Sequence, residues 1–229
     1  MHTMTTDARR PTRVWDLPTR LFHWVLAGCV FGSVVSAKIG GNAMEWHLRL
    51  GYAVFTLLAF RLLWGLMGGH WSRFASFAYA PSAVLRYLRG QSRRDEHHDL
   101  GHSPLGALSV FALLALLAVQ VASGLVADDE IATTGPLAPL VSARTTSLAT
   151  AWHHGWGQGL VIALALLHVA AIAVHVRRGR DLVRPMIVGD KALPPGVPHA
   201  ADHASARAVA ALLFALCAAG VAWVVRLGG

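Results

Sequence analysis

His154 and His168 stand fourteen residues apart inside one apolar stretch, residues 152–176, that is long enough to cross a bilayer as a helix. Fourteen residues of α-helix rise ~21 Å and make almost four turns, so the two imidazoles fall within ~40° of one face. An ionisable side chain in hydrocarbon is a functional signal, and the neutral imidazole nitrogen is the commonest metal ligand a protein offers. One helix therefore presents metal ligands at two membrane depths. Two further histidines lie in apolar stretches, His23 near the start of residues 21–39 and His47 near the start of residues 45–66.

The elements that must position them are membrane helices. The chain has 229 residues, 55% hydrophobic and 14% charged, with a mean hydropathy of +0.48, values that place it in the membrane class. Five spans are expected, at 21–39, 45–66, 105–126, 152–176 and 207–225. The first has the Arg-rich flank and small residues, Ser36 and Ala37, of a cleaved signal peptide; His23 and Trp24 inside its apolar run, and four later spans, favour a retained helix. The third span has only Gln120, Ser123 and Gly124 as polar or small interruptions toward its far end, and reads as scaffold. Residues 81–88, in a basic linker, suit a short helix on the lipid surface. His97, His98 and His102 in that linker read as solvated or interfacial and receive no role. Cys29 and Cys217 lie in apolar segments and no CxxCH run is present, so neither a disulfide framework nor covalently attached haem is expected.

Charge gives an orientation. Fifteen of the twenty Lys and Arg residues fall before the first span and in the second-to-third and fourth-to-fifth linkers, whereas the loop after the third span is acidic, with Asp128, Asp129 and Glu130. The positive-inside rule then puts the amino terminus in the cytoplasm and the carboxyl terminus in the periplasm. The net charge of +8 is accounted for by topology, and no nucleic-acid partner is expected.

With that topology His23 and His168 share the inner depth, and His47 and His154 share the outer. His153 is the rival to His154, but in a regular helix it points ~100° away from it. A six-coordinate haem b takes one axial imidazole from each of two facing helices, so two haems stacked across the membrane would follow. Arg61, fourteen residues after His47, returns to the same face at the inner depth, where a haem propionate would answer its charge; its alternative is snorkelling to the surface. Arg20 and His175 are the other cofactor-binding candidates, His175 toward a propionate or quinone at the inner edge. Gly28, Gly32, Gly51, Gly124, Gly155 and Gly159 would allow close backbone approach, to a macrocycle or to another helix.

The segments VWDLPTRLFHW, WHLRLGY with the later Arg61, the His154–His168 spacing and the closing RPMIVG together resemble the bacterial dihaem membrane cytochrome b family, which includes the cytochrome b subunits of nickel-iron hydrogenases. The resemblance covers about residues 13–190. It implies an all-α membrane bundle: a cytoplasmic segment at 1–20, a four-helix dihaem domain at 21–190, and a linker with a fifth helix at 191–229, which many relatives lack. It implies two non-covalent haem b groups, His23 with His168 on the cytoplasmic side and His47 with His154 on the outer. It further implies electron transfer in the bacterial inner membrane between quinone and a periplasmic partner, a cytochrome c or a hydrogenase small subunit. A stand-alone superoxide:quinone oxidoreductase is the main alternative, against which the acidic outer loop argues; a His-based proton or metal transporter is the lesser one, since no acidic residue interrupts a span.

Overall fold

The computed structural model describes residues 9–91, 100–131 and 133–228; His97 and His98 fall outside them. The architecture is a helix bundle with one small ribbon: β1 (Arg10–Arg13), α1 (Leu17–Ile39), α2 (Met44–Met67), α3 (Pro81–Leu88), α4 (Pro104–Leu125), α5 (Ala143–Trp152), a π-turn (His153–Gly157), α6 (Gln158–Arg177), α7 (Val183–Val188), β2 (Asp190–Leu193) and α8 (Ala204–Val225). Five helical spans are long and apolar enough to cross a membrane.

Local chemistry sets the helix starts. Asp16 caps α1 by accepting from the Thr19 amide at 2.8 Å, with Pro18 in the first turn; Ser103 caps α4 ahead of Pro104; His203 caps α8. The fourth span begins earlier than hydropathy suggests. Ser142 accepts from the Thr145 amide and starts α5 at Ala143, through a Thr-rich turn whose polarity hides it from a hydropathy reading. The continuous span Ala143–Arg177 has 35 residues, ~50 Å, against ~30 Å of hydrocarbon, so the polar α5 extends past the apolar layer.

α2 is the hub. Its Leu57, Phe60 and Trp64 pack with Phe22 of α1 and with Ala210 and Cys217 of α8, while its Val54 and Leu58 pack with Leu117 of α4 and Val161 of α6. The fifth helix thus shares an apolar cluster with the first two. α6 packs more closely against α4 than against α1 or α2.

Helix directions define two ends. One, the basic end, gathers β1, the residue 68–103 linker and residues 178–203; the other holds the loops at 40–43 and 126–142. At the basic end β1 pairs antiparallel with β2, Arg10 opposite Leu193 and Arg13 opposite Asp190. Gly189, at φ +95°, turns the chain into β2, and a side chain there would strike Arg13. Arg13 binds Asp190 at 2.8 Å, and Asp202, just before α8, accepts from the Leu17 amide at 3.0 Å and from Arg207 at 2.9 Å. These contacts clasp the amino-terminal segment to the linker before the fifth helix.

Candidate functional site

Four histidines meet in two pairs at opposite ends of the bundle. His23 of α1 and His168 of α6 stand with ring centroids 6.5 Å apart toward the basic end. His47, in the first turn of α2, stands 5.9 Å from His153, in the π-turn before α6. The pairing by depth expected from the spacing is thus present in the fold, with one difference of residue.

That difference is His153 in place of His154. In a regular α-helix the fifteen residues from His153 to His168 overshoot four turns by ~60°. A π-turn takes up one extra residue, which rotates His153 back toward the face of His168. Gly155 within it sits at φ −96°, ψ −108°, outside helical values. His154 is exposed, with its ring 5.7 Å from that of His153. The expectation of His154 assumed a regular helix; the two glycines of the HHGWG run are the local signal that the helix is not regular.

Each ring is oriented from outside the pair. A carbonyl can only accept, so His47 donates from Nδ1 to the Ser33 carbonyl of α1 at 2.9 Å, and His153 donates from Nδ1 to the Gln120 carbonyl of α4 at 2.9 Å. Both therefore keep the Nε2 lone pair for a metal. Gln120 Nε2 in turn donates to the His153 carbonyl at 2.8 Å. At the basic end His168 Nδ1 has only the Ser109 hydroxyl, at 3.4 Å, and His23 Nδ1 is buried without a hydrogen-bond partner among the described residues. The sequence marked Gln120 as an interruption of the third span but assigned no role to it, to Ser33 or to Ser109.

The three other candidates fall elsewhere. Arg61 is 3% exposed, which rules out snorkelling, and it donates to the Ser72 carbonyl at 3.0 Å with its charge over the Phe74 ring. Its counter-charge is Asp16, which also accepts from Trp64 Nε1 at 3.3 Å and from Ser72 Oγ. The expected propionate is therefore not required: the carboxylate lies one residue before α1, outside the spans in which an acidic partner was sought. Arg20 bonds the Ile187 carbonyl and lies 4.0 Å from Asp202, serving the clasp. His175 is half-buried and turned onto its own helix, Nδ1 at 2.8 Å from the Ala171 carbonyl. His102 is not solvated: its ring lies 4.7 Å from Trp15 and 4.2 Å from Phe77, and burial, with Arg61's charge, pushes its pKa down to about 3.

The residues present fit two flat, iron-centred macrocycles. A metal–imidazole bond of about 2.0 Å, with the ring nitrogen about 1.1 Å from the ring centre, means that two imidazoles sharing one metal would have ring centres up to about 6.2 Å apart. The observed separations of 6.5 and 5.9 Å bracket that value. No group of three or more His, Cys, Asp or Glu capable of holding an ion occurs among the described residues; the site offers imidazole pairs. Cβ atoms added at Gly28, Gly51, Gly155 or Gly159 would meet nothing within 4 Å.

Comparison with known proteins agrees with this geometry. The family described as Prokaryotic cytochrome b561 matches residues 14–189. A "Probable Ni/Fe-hydrogenase B-type cytochrome subunit" of Cupriavidus necator is 25% identical over 215 residues, covering 79% of this chain and 86% of that protein. No solved structure gives a significant match. The matched region holds α1 to α7 and all four paired histidines, and on it rests the assignment: this chain belongs to the prokaryotic cytochrome b561 family and is a multi-pass bacterial membrane cytochrome b that carries b-type haem and transfers electrons.

Proposed function

We propose that this chain passes electrons across the bacterial inner membrane between a periplasmic redox protein and membrane quinone, through two bis-histidine b haems, one held by His23 and His168, the other by His47 and His153. The observation that carries the reading is the pair of imidazole separations, each suited to one iron, at opposite ends of one bundle. When bound, haem supplies reversible one-electron chemistry at iron. The chain's own residues do the rest. The Ser33 and Gln120 carbonyls hold His47 and His153 in the tautomer that leaves Nε2 free, and the Leu and Val side chains packed between the helices keep the bundle interior apolar.

The basic end faces the cytoplasm in this reading, since it carries most of the Lys and Arg. The opposite end, with the extended α5 and the acidic loop of Asp128, Asp129 and Glu130, then faces the periplasm and the redox partner. The name of the Cupriavidus relative supports a hydrogenase-type partner, with a cytochrome c as the other choice.

The test is a reduced-minus-oxidised spectrum with haem quantified per chain, for the parent and for His153→Ala, His154→Ala and His168→Ala. Two b haems in the parent, one in H153A and in H168A, and two in H154A are expected. A parent with a single haem would overturn the two-haem scheme, and an H154A protein that loses one would restore His154 as the ligand.

A further inference from the structure

The two histidine pairs differ in what holds them. Toward the acidic loop both Nδ1–H groups donate to backbone carbonyls at 2.9 Å, His47 to Ser33 and His153 to Gln120. Toward the basic end His168 has a single hydroxyl acceptor, Ser109 Oγ, at a long 3.4 Å, and His23 Nδ1 has no partner among the described residues. A hydrogen bond from the outer nitrogen of a ligating imidazole makes the ring a stronger electron donor to its metal. A stronger donor favours the oxidised iron and lowers its reduction potential.

The charges act in the same direction. By sequence, fifteen of the twenty Lys and Arg residues fall in the segments that belong to the basic end, an excess that stands beside the Arg61–Asp16 pair, whose charges offset each other. Positive charge there favours the iron that has gained an electron; Asp128, Asp129 and Glu130 at the other end oppose it.

Building on the two-haem reading above, we infer that the Nδ1 hydrogen bonds make the His47–His153 haem the lower-potential centre and the His23–His168 haem the higher, with Ser109 the side chain that adjusts the higher one. With haem bound at both pairs, one electron would pass downhill from the site held by His47 and His153 at the acidic-loop end to that held by His23 and His168 at the basic end, with no proton moved. The reductant is the periplasmic redox protein and the final acceptor is quinone, which takes up two electrons and two protons. Ser109 is a positioning residue that acts through His168.

Spectroelectrochemical midpoint measurement on the haem-loaded full chain tests this. The parent should show two components. The component that survives in His168→Ala should be the lower one, and that in His153→Ala the higher. Ser109→Ala, which removes the acceptor, should raise the higher component alone; Ser109→Asn, which offers an amide oxygen, should lower it alone. A higher-potential survivor in H168A, or Ser109 variants that leave the upper midpoint unmoved, would overturn the inference while the two-haem scheme stands. A parent with one component and one haem per chain would instead overturn the scheme itself. Should H168A fail to fold, the Ser109 pair still assigns the upper component to the basic end or refutes it.

Discussion

His153 and Gln120 hold each other by two hydrogen bonds of opposite sense: the imidazole Nδ1 donates to the Gln120 carbonyl at 2.9 Å, and Gln120 Nε2 donates to the His153 carbonyl at 2.8 Å. The second bond satisfies a backbone oxygen inside the π-turn, where the regular helical ladder is broken. α4 is thus more than a spacer. It fixes both the ring and the irregular backbone that aims it.

Replacing Gln120 by Leu should cost ~1–3 kcal/mol, the usual cost of leaving a buried carbonyl unpaired. The cost should fall on one end. Haem content per chain, read beside the melting temperature in detergent, is expected to show partial loss of the His47–His153 haem and retention of the other; equal loss of both would contradict a local role.

Gly124→Ala makes the same point through packing. An added Cβ would stand 2.7 Å from Cε1 and 3.1 Å from Nδ1 of His153, closer than a ring can tolerate. Overpacking of ~1–3 kcal/mol is expected, with the ring displaced from the His47 partner. The visible spectrum of the reduced protein should lose one of two components, and a full complement of haem would show that the ring yields without consequence.

Asp16 is 0% exposed and answers Arg61 while capping α1. Asp16→Ala leaves a buried guanidinium without its carboxylate and removes the cap, a loss of ~3–5 kcal/mol. Asp16→Asn keeps a capping oxygen but not the charge, and should be milder. Thermal midpoints of the two variants separate capping from charge; equal losses would assign the whole effect to the charge.

His102 gives a pH dependence with a definite sign. Its folded value of about 3 lies below the ordinary 6.5, because burial and Arg61 disfavour the charged ring. Between those values the unfolded chain binds a proton that the folded chain does not, so this residue's contribution is level above pH 6.5 and declines as pH falls toward 3. His102→Phe, which preserves the contacts to Trp15 and Phe77, should flatten the fall in melting temperature between neutral pH and about pH 4.5. An unchanged slope would place the acid sensitivity elsewhere.

The helical spans and the short helix at Pro81–Leu88 were legible because hydropathy and a 3.6-residue period report them directly. That His153 is the ring beside His47 was not, since periodicity assumes that every residue advances the helix equally, and the π-turn breaks that assumption there. Arg61's partner was missed for a related reason. Asp16 is adjacent to α1 in sequence but folds into the buried cluster around Ser72 and Trp64, a tertiary relation that no local pattern carries. The start of α5 and the β1–β2 pairing depend likewise on a cap and on a distant strand.

The ribbon between β1 and β2 has a consequence for biogenesis. Arg13 and its partner Asp190 are 177 residues apart, and every helix from α1 to α7 lies between them. The two strands cannot meet until the chain has been threaded through the membrane four times and returned to the side where it started. Ribbon formation is therefore a late, non-local step that reports a completed insertion, and a chain stalled after an odd number of crossings has β1 and β2 on opposite sides of the bilayer with nothing to close.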